Sequence, residues 1–178
     1  MTPPTDDELA PVSVRLGAVV PPEDPEDWTR PLTWVAAIGM LAAPAVALAW
    51  YALAAPHDGT RLAVGTWAVA AALVVGAAAA GATQIGRLRA FTGTLGAALL
   101  GAVLVVAAGA VTAGERQLGS ASPTVAHSLA AALAGLAGAL PAAVAAGLTA
   151  RSWPRPGRGA VAAGLGILAT AAVLPRLF

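Results

Sequence analysis

FTGTLGAALLGAVLVVAAGAVTA, residues 91–113, holds no charged side chain over 23 consecutive positions. Crossing about 30 Å of hydrocarbon at about 1.5 Å per residue takes roughly 20 apolar residues in a helix. A helix pairs its own backbone N–H and C=O groups, which lipid cannot do. The run also lacks the alternation over about ten residues that is typical of a membrane barrel strand. We therefore predict a transmembrane α-helix here.

Four further apolar runs lie between charged or proline-rich breaks. The last of them holds only about 16 residues between Arg158 and Pro175, and its alanines and glycines favour insertion less than leucine does. This segment is expected to span the membrane, or else to lie re-entrant or in the interface. The fold prediction is an all-α integral membrane protein with a bundle of five transmembrane helices, or four in the second case. The predicted spans are residues 32–55, 62–85, 91–113, 125–150 and 159–174.

The composition agrees with a membrane protein. Hydrophobic residues make up 58% of the chain and charged residues only 11%, whereas soluble domains contain about 25% charged residues. Cysteine is absent, which excludes disulfides, thiolate metal sites, cysteine nucleophiles and cysteine-linked lipid anchors. We interpret the lack of lysine and the abundance of alanine as the mark of a GC-rich bacterial genome. The start of the chain, MTPPTDDELA, lacks the basic region of a secretory signal, so no cleavable signal is predicted.

The arginines predict the orientation of the bundle, because short cytoplasmic loops retain arginine while translocated loops avoid it. With the amino terminus inside, seven arginines are cytoplasmic and three are outside. We predict a multi-pass protein of the cell (plasma) membrane with a cytoplasmic amino terminus and, for five spans, an external carboxyl terminus. The cytoplasmic set is Arg15, Arg30, Arg87, Arg89, Arg151, Arg155 and Arg158, and the external set is Arg61, Arg116 and Arg176.

Residues 1–31 form a separate unit, an acidic and proline-rich cytoplasmic tail that precedes the transmembrane bundle of residues 32–178. Its last part, PPEDPEDWTR at 21–30, is interpreted as a stiff, charged segment at the membrane surface. Acidic side chains hardly affect topology, so they do not oppose a cytoplasmic location. We expect this segment to dock a partner protein. The candidate docking residues are Glu23, Asp24, Glu26, Asp27 and Trp28.

The beginning of the tail leaves three alternatives open. Apolar residues at 12, 14 and 16 alternate with other residues, which is the period of a half-buried strand. A lone strand has nothing to pair with in so short a tail. The segment is either unstructured, or adds to the edge of a partner's sheet, or lies on the membrane surface.

Titratable side chains are almost absent from the predicted spans. No Asp, Glu or Arg falls inside one, and His127 is the one acidic or basic side chain of the Asp, Glu, His, Lys and Arg set that does. We expect this histidine to bond water or lipid headgroups near the outer interface; the alternative is a ligand or proton-relay role with His57, Asp58 or Glu115. The chain has no phosphate-binding loop, serine nucleophile elbow or HExxH motif. We expect no enzyme activity, no cofactor, no metal and no nucleic-acid partner.

Helix packing and bending give two further expectations. Small residues are frequent enough to let helices approach closely, although no glycine pair shows the strict GxxxG spacing. We expect a tight bundle, or flat faces that pack against another membrane protein. Pro44 and Pro141 lie near mid-membrane, where they bend a helix or frame a substrate. Thr83 and Gln84 are expected either to make hydrogen bonds between helices or to form a polar patch at the cytoplasmic face.

Together these observations favour a non-catalytic accessory or interaction subunit of a membrane complex. Its partners are the lipid bilayer and another membrane or cytoplasmic protein, with the tail as the docking segment. The alternative is a small transporter or channel subunit that uses the proline-containing helices 1 and 4. An intramembrane enzyme based on His127 is a third interpretation.

Overall fold

The computed structural model of the chain describes residues 41–50, 59–113 and 122–177. Within these ranges the chain is helical apart from short connections, and it contains no strand. The helices are α1 (Leu41–Trp50), α2 (Gly59–Thr83), α3 (Arg87–Ala113), α4 (Pro123–Thr149) and α5 (Arg155–Val173), and a 3₁₀ turn (Leu174–Arg176) follows α5.

The prediction of an all-helical fold is confirmed for the described residues. Four helices are long and apolar enough to cross a membrane, which is compatible with a membrane protein. The described part of the first predicted span is the apolar helix α1; the rest of that span and the tail, residues 1–31, lie outside the described residues. The four long helical segments are Ala63–Thr83, Arg87–Ala113, Pro123–Thr149 and Arg155–Arg176.

Two helices begin one turn earlier than the apolar runs indicate. Helix α3 begins at Arg87 and α5 at Arg155, so both include arginines that the runs exclude. The first turn of a helix in lipid tolerates exposed arginines such as Arg87 and Arg89, because the long side chain extends its charged group towards the interface. The buried Arg158 is stabilised instead by the carbonyl oxygen of Gln84. Proline is also accepted in the first turn, since the first amides have no partner within the helix. With the 3₁₀ turn, α5 reaches 22 residues, and this is enough to span a membrane.

The two most buried long helices, α2 and α4, form the centre of the bundle. Each of them contacts the other and also both α3 and α5, which flank this pair. At one end of the bundle the carboxyl end of α2 meets the start of α5, where Arg158 bonds to Gln84. At the same end a Cβ built on Gly147 of α4 lies 3.3 Å from the carbonyl oxygen of Arg87. We call this end the arginine end, because it carries Arg87, Arg89, Arg151, Arg155 and Arg158.

Small residues fill the core. Most of the buried apolar side chains are alanines, and valines are the largest fully buried side chains. Helices α4 and α5 touch through their backbones: a Cβ built on Gly138 lies 2.6 Å from the carbonyl oxygen of Gly166, and one on Gly166 lies 2.9 Å from that of Gly138. Without side chains at these two glycines, the helices approach closely and gain dispersion contacts over their length. The described helices therefore form a tightly packed bundle.

Buried hydroxyl groups in the core are paired with helix carbonyls. Thr94 Oγ1 donates to the carbonyl of Ala90 at 2.8 Å, and Ser128 Oγ donates to that of Val125 at 2.8 Å. Both bonds stay within one helix, as is usual for hydroxyl side chains in helices. Thr170 Oγ1 donates within α5 to Gly166 at 2.9 Å and also lies 3.3 Å from the carbonyl oxygen of Ala134 in α4. Of these three hydroxyls, Thr170 alone links two helices.

Candidate functional site: the arginine end

The arginine end is a cationic surface. The side chains of Arg87, Arg89 and Arg151 are exposed, Arg155 is half-buried, and Arg158 is only 6% exposed. The ranges that the structure describes contain neither aspartate nor glutamate, so no carboxylate side chain within them neutralises these five cations. Such a surface attracts anions, and it does so most strongly where water is partly excluded.

A tight turn between α2 and α3 positions two of these arginines. The amide of Gln84 donates to the carbonyl of Gly81 at 3.1 Å, and the amide of Ala90 donates to that of Gly86 at 3.0 Å. Gly86 has a φ of +95°, a conformation that glycine adopts without strain and residues with a Cβ rarely adopt. The chain reverses within three residues, which brings Arg87 and Arg89 beside the carboxyl end of α2.

Arg158 fastens the start of α5 to this turn. Its Nη1 donates to the carbonyl oxygen of Gln84 at 2.9 Å. Its buried Nε has no hydrogen-bond partner among the described residues. A buried guanidinium is stabilised by the acceptors around it, and Arg158 keeps one donor, Nε, that these acceptors do not use.

The connection between α4 and α5 positions Arg155. The amide of Trp153 donates to the carbonyl of Thr149 at 3.1 Å, which continues α4 as a turn. Pro154 then precedes α5, and no side chain caps the first turn of that helix. The amides of a first turn have no partner within the helix and carry partial positive charge. Arg155 and the free amides of this first turn therefore place positive charge in the same region.

Two apolar grooves open at the arginine end. One lies between α2 and α5 and encloses about 370 Å³. The other lies between α3 and α4, encloses about 350 Å³ and is more open. Each has an arginine among its lining residues, Arg155 in the first and Arg87 in the second. The first groove is lined by Val75, Ala79, Ala82, Arg155, Pro156, Gly159, Ala160 and Ala163.

The residues proposed from the sequence occupy different places. Pro44 lies in α1, and Pro141 lies half-buried in α4, which is helical from Pro123 to Thr149. His127 lies in the first turns of α4, at the end opposite the arginines, and its Nδ1 is 2.7 Å from the carbonyl oxygen of Pro123. No group of three His, Cys, Asp or Glu side chains suited to a metal occurs in the described ranges. Outside those ranges lie the docking residues Glu23, Asp24, Glu26, Asp27 and Trp28, and also His57, Asp58 and Glu115.

The polar patch around Thr83 and Gln84 belongs to the arginine end. Thr83 Oγ1 donates to the carbonyl of Ala80 at 2.7 Å, and Gln84 Nε2 donates to Thr83 Oγ1 at 3.3 Å. The sequence predicts a polar patch of Thr83 and Gln84 at the cytoplasmic face, but it does not indicate that Arg158 belongs to the same site. Arg158 continues the four-residue spacing of Ala162, Gly166 and Thr170, but the burial of this face of α5 is known only from the structure.

Comparison with protein families, with curated proteins and with solved structures finds no match to this chain. Two features of the molecule itself bear on its function. They are the close packing of the bundle centre and the unneutralised cations at the arginine end.

Proposed function

We propose that this protein is a small multi-pass protein of the bacterial cell membrane that serves as a non-catalytic interaction subunit of a membrane complex. Its amino terminus and its arginine end face the cytoplasm. The distribution of arginines supports this orientation, because five lie at the arginine end, whereas the other end of the described helices has two, Arg61 at the start of α2 and Arg176 after α5.

The close packing of α2, α4 and α5 carries this proposal. Val74 of α2, Gly138 of α4 and Gly166 of α5 meet at one point, where neither glycine has room for a methyl group. The hydroxyl of Thr170 at this point is bonded to helix carbonyls. Contact of this kind fixes helices relative to one another. It supports a rigid scaffold that presents its ends and outer faces to a partner.

The acidic tail is the proposed docking segment. With a cytoplasmic amino terminus, the carboxylates Glu23, Asp24, Glu26 and Asp27 belong to the cytoplasmic side, and tryptophan, as at Trp28, is a residue type that suits the headgroup region. Four carboxylates within five residues suit a basic surface on the partner protein. Pro25 lies between them and Pro21 and Pro22 precede them. Prolines restrict the conformations open to the free chain, which reduces the entropy lost on binding.

The experiment is purification from the native host in mild detergent. A chain lacking residues 1–27 is expected to insert into the membrane as before but to lose the partner that accompanies the full-length protein. A charge-neutralised full-length chain, with E23Q, D24N, E26Q and D27N, should also lose it. The matched control neutralises the earlier acidic group with D6N, D7N and E8Q, and it should retain the partner. Loss of insertion on deletion, or equal loss of the partner in the control, would contradict the docking role.

The alternative is a small transporter or channel subunit. Pro141 favours it, because this residue removes a hydrogen-bond donor from α4 at the centre of the bundle. In that case replacing Pro44 and Pro141 with alanine should reduce ion flux in vesicles that contain the purified protein. Flux that does not differ from that of the unmodified protein would exclude this alternative.

A further inference from the structure

The groove between α2 and α5 has the length of a lipid chain segment. Its lining residues on α5 run from Arg155 to Ala163, which corresponds to about 12 Å along a helix at about 1.5 Å per residue. One leaflet of the hydrocarbon core is about 15 Å deep. The groove walls are apolar apart from Arg155, and alanine and glycine leave space that larger side chains would fill.

The charges are concentrated where a lipid phosphate would lie. Arg155 stands at the arginine end of the groove. Arg158 follows it by one helical turn and does not line the groove, but it adds a second positive charge close to Arg155. The first turn of α5 has no side-chain cap, so its amides add partial positive charge. None of the described residues is an aspartate or glutamate that would compete for these donors.

We propose that this groove binds an anionic phospholipid, with one acyl chain along Val75, Ala79 and Ala163 and the phosphate at Arg155. A zwitterionic lipid fills the apolar part equally well, but its ammonium or choline group offsets the charge that Arg155 recognises. The site therefore selects for net negative charge. The groove between α3 and α4 is more open and is not part of the proposal. The inference rests on the membrane location and is independent of docking through the tail.

Native mass spectrometry of the full-length protein in detergent tests whether the groove prefers an anionic lipid. The probes are phosphatidylglycerol and phosphatidylcholine with identical acyl chains, and the measured quantity is the apparent Kd of the first bound lipid. One arginine near a membrane surface corresponds to about a fivefold preference for the anionic lipid. R155Q should bring the ratio of the two Kd values close to one. The matched control is R151Q, which removes an exposed arginine of the same end outside the groove and should retain the preference.

A second pair of variants tests the groove itself. Ala160 and Ala172 are both exposed residues of α5, and only Ala160 lines the groove. A160L should weaken binding of both lipids several-fold, whereas A172L should leave both Kd values unchanged. Equal affinity of the unmodified protein for the two lipids would overturn the proposal, as would equal effects of R155Q and R151Q. A dimer that A160L dissociates would assign the groove to a second copy of the chain instead. Tail deletion should not change any of these Kd values. A negative result for lipid binding therefore leaves the docking role of the tail untouched, and the reverse also holds.

Discussion

Replacing Gly166 with alanine should force α4 and α5 apart. The added methyl group would lie 2.9 Å from the carbonyl oxygen of Gly138 and 3.1 Å from Cβ of Ala142, and it would also overlap Val74. A backbone carbonyl cannot rotate away as the end of a flexible side chain can. Gly164 lies two residues away on the same helix, and a Cβ built there has no neighbour within 4 Å. The same substitution at this residue is therefore the control.

The pair of variants isolates the packing energy. Alanine is favoured over glycine in a helix by about 1 kcal/mol, and this gain applies to both positions. It cancels when G166A is compared with G164A. What remains is the cost of overpacking at Gly166, about 1–3 kcal/mol. We expect G164A to equal or exceed the stability of the unmodified protein, and G166A to be less stable than G164A by that amount.

The assay is reversible unfolding in mixed detergent micelles with increasing dodecyl sulfate, followed by far-UV circular dichroism. Both variants should start with the helical content of the unmodified protein, so that the comparison concerns stability. The free energy of unfolding is then obtained for each protein by linear extrapolation. Equal stabilities of G166A and G164A would refute the backbone contact between α4 and α5.

Two further predictions concern hydrogen bonding and orientation. T170V removes the hydroxyl that reaches the carbonyl of Ala134 in α4 and should lower the free energy of unfolding by about 0.6 kcal/mol. T94V, whose hydroxyl bonds within α3, should lower it less. A larger loss for T94V would contradict the role of Thr170 as the link between α4 and α5. Because the chain has no cysteine, single cysteines report orientation without background. An impermeant maleimide added to intact cells should label L177C and not S152C, and the reverse pattern would overturn the cytoplasmic placement of the arginine end.

The sequence predicts the positions of the long helices well, because twenty or so apolar residues between charged breaks leave few alternatives in lipid. Helices α2 and α4 each begin and end within three residues of the predicted runs. The start of α5 was predicted four residues too late, since a count of apolar residues ends at Arg158. Whether that arginine extends the helix depends on an acceptor for its charge. The acceptor is Gln84, 74 residues earlier in the chain, and no local pattern reveals that pairing.

The packing faces were also beyond reach of the sequence. Small residues recur four apart so often that the pattern fits many helix faces. The structure selects one on α5, where Ala162, Gly166 and Thr170 are buried while Leu165 and Leu168 face outward. This selection depends on the shape of α4 and α2, into which the α5 face fits. The hydroxyl bonds within a helix follow from local geometry, but the bond from Thr170 to α4 depends on this packing.

The placement of small residues inside and large aliphatic residues outside determines how the bundle responds to mutation. In a soluble domain, interior positions are damaged chiefly by truncation, because shortening a large side chain leaves a cavity. Here most interior positions are alanine or glycine and offer little side chain to truncate, so gain of volume is the damaging change at those positions. Outward residues such as Leu133, Leu140 and Leu168 should accept any apolar replacement. In a saturation mutagenesis experiment, side-chain volume would then predict fitness better than hydrophobicity at the interior positions, and hydrophobicity better than volume at the outer ones.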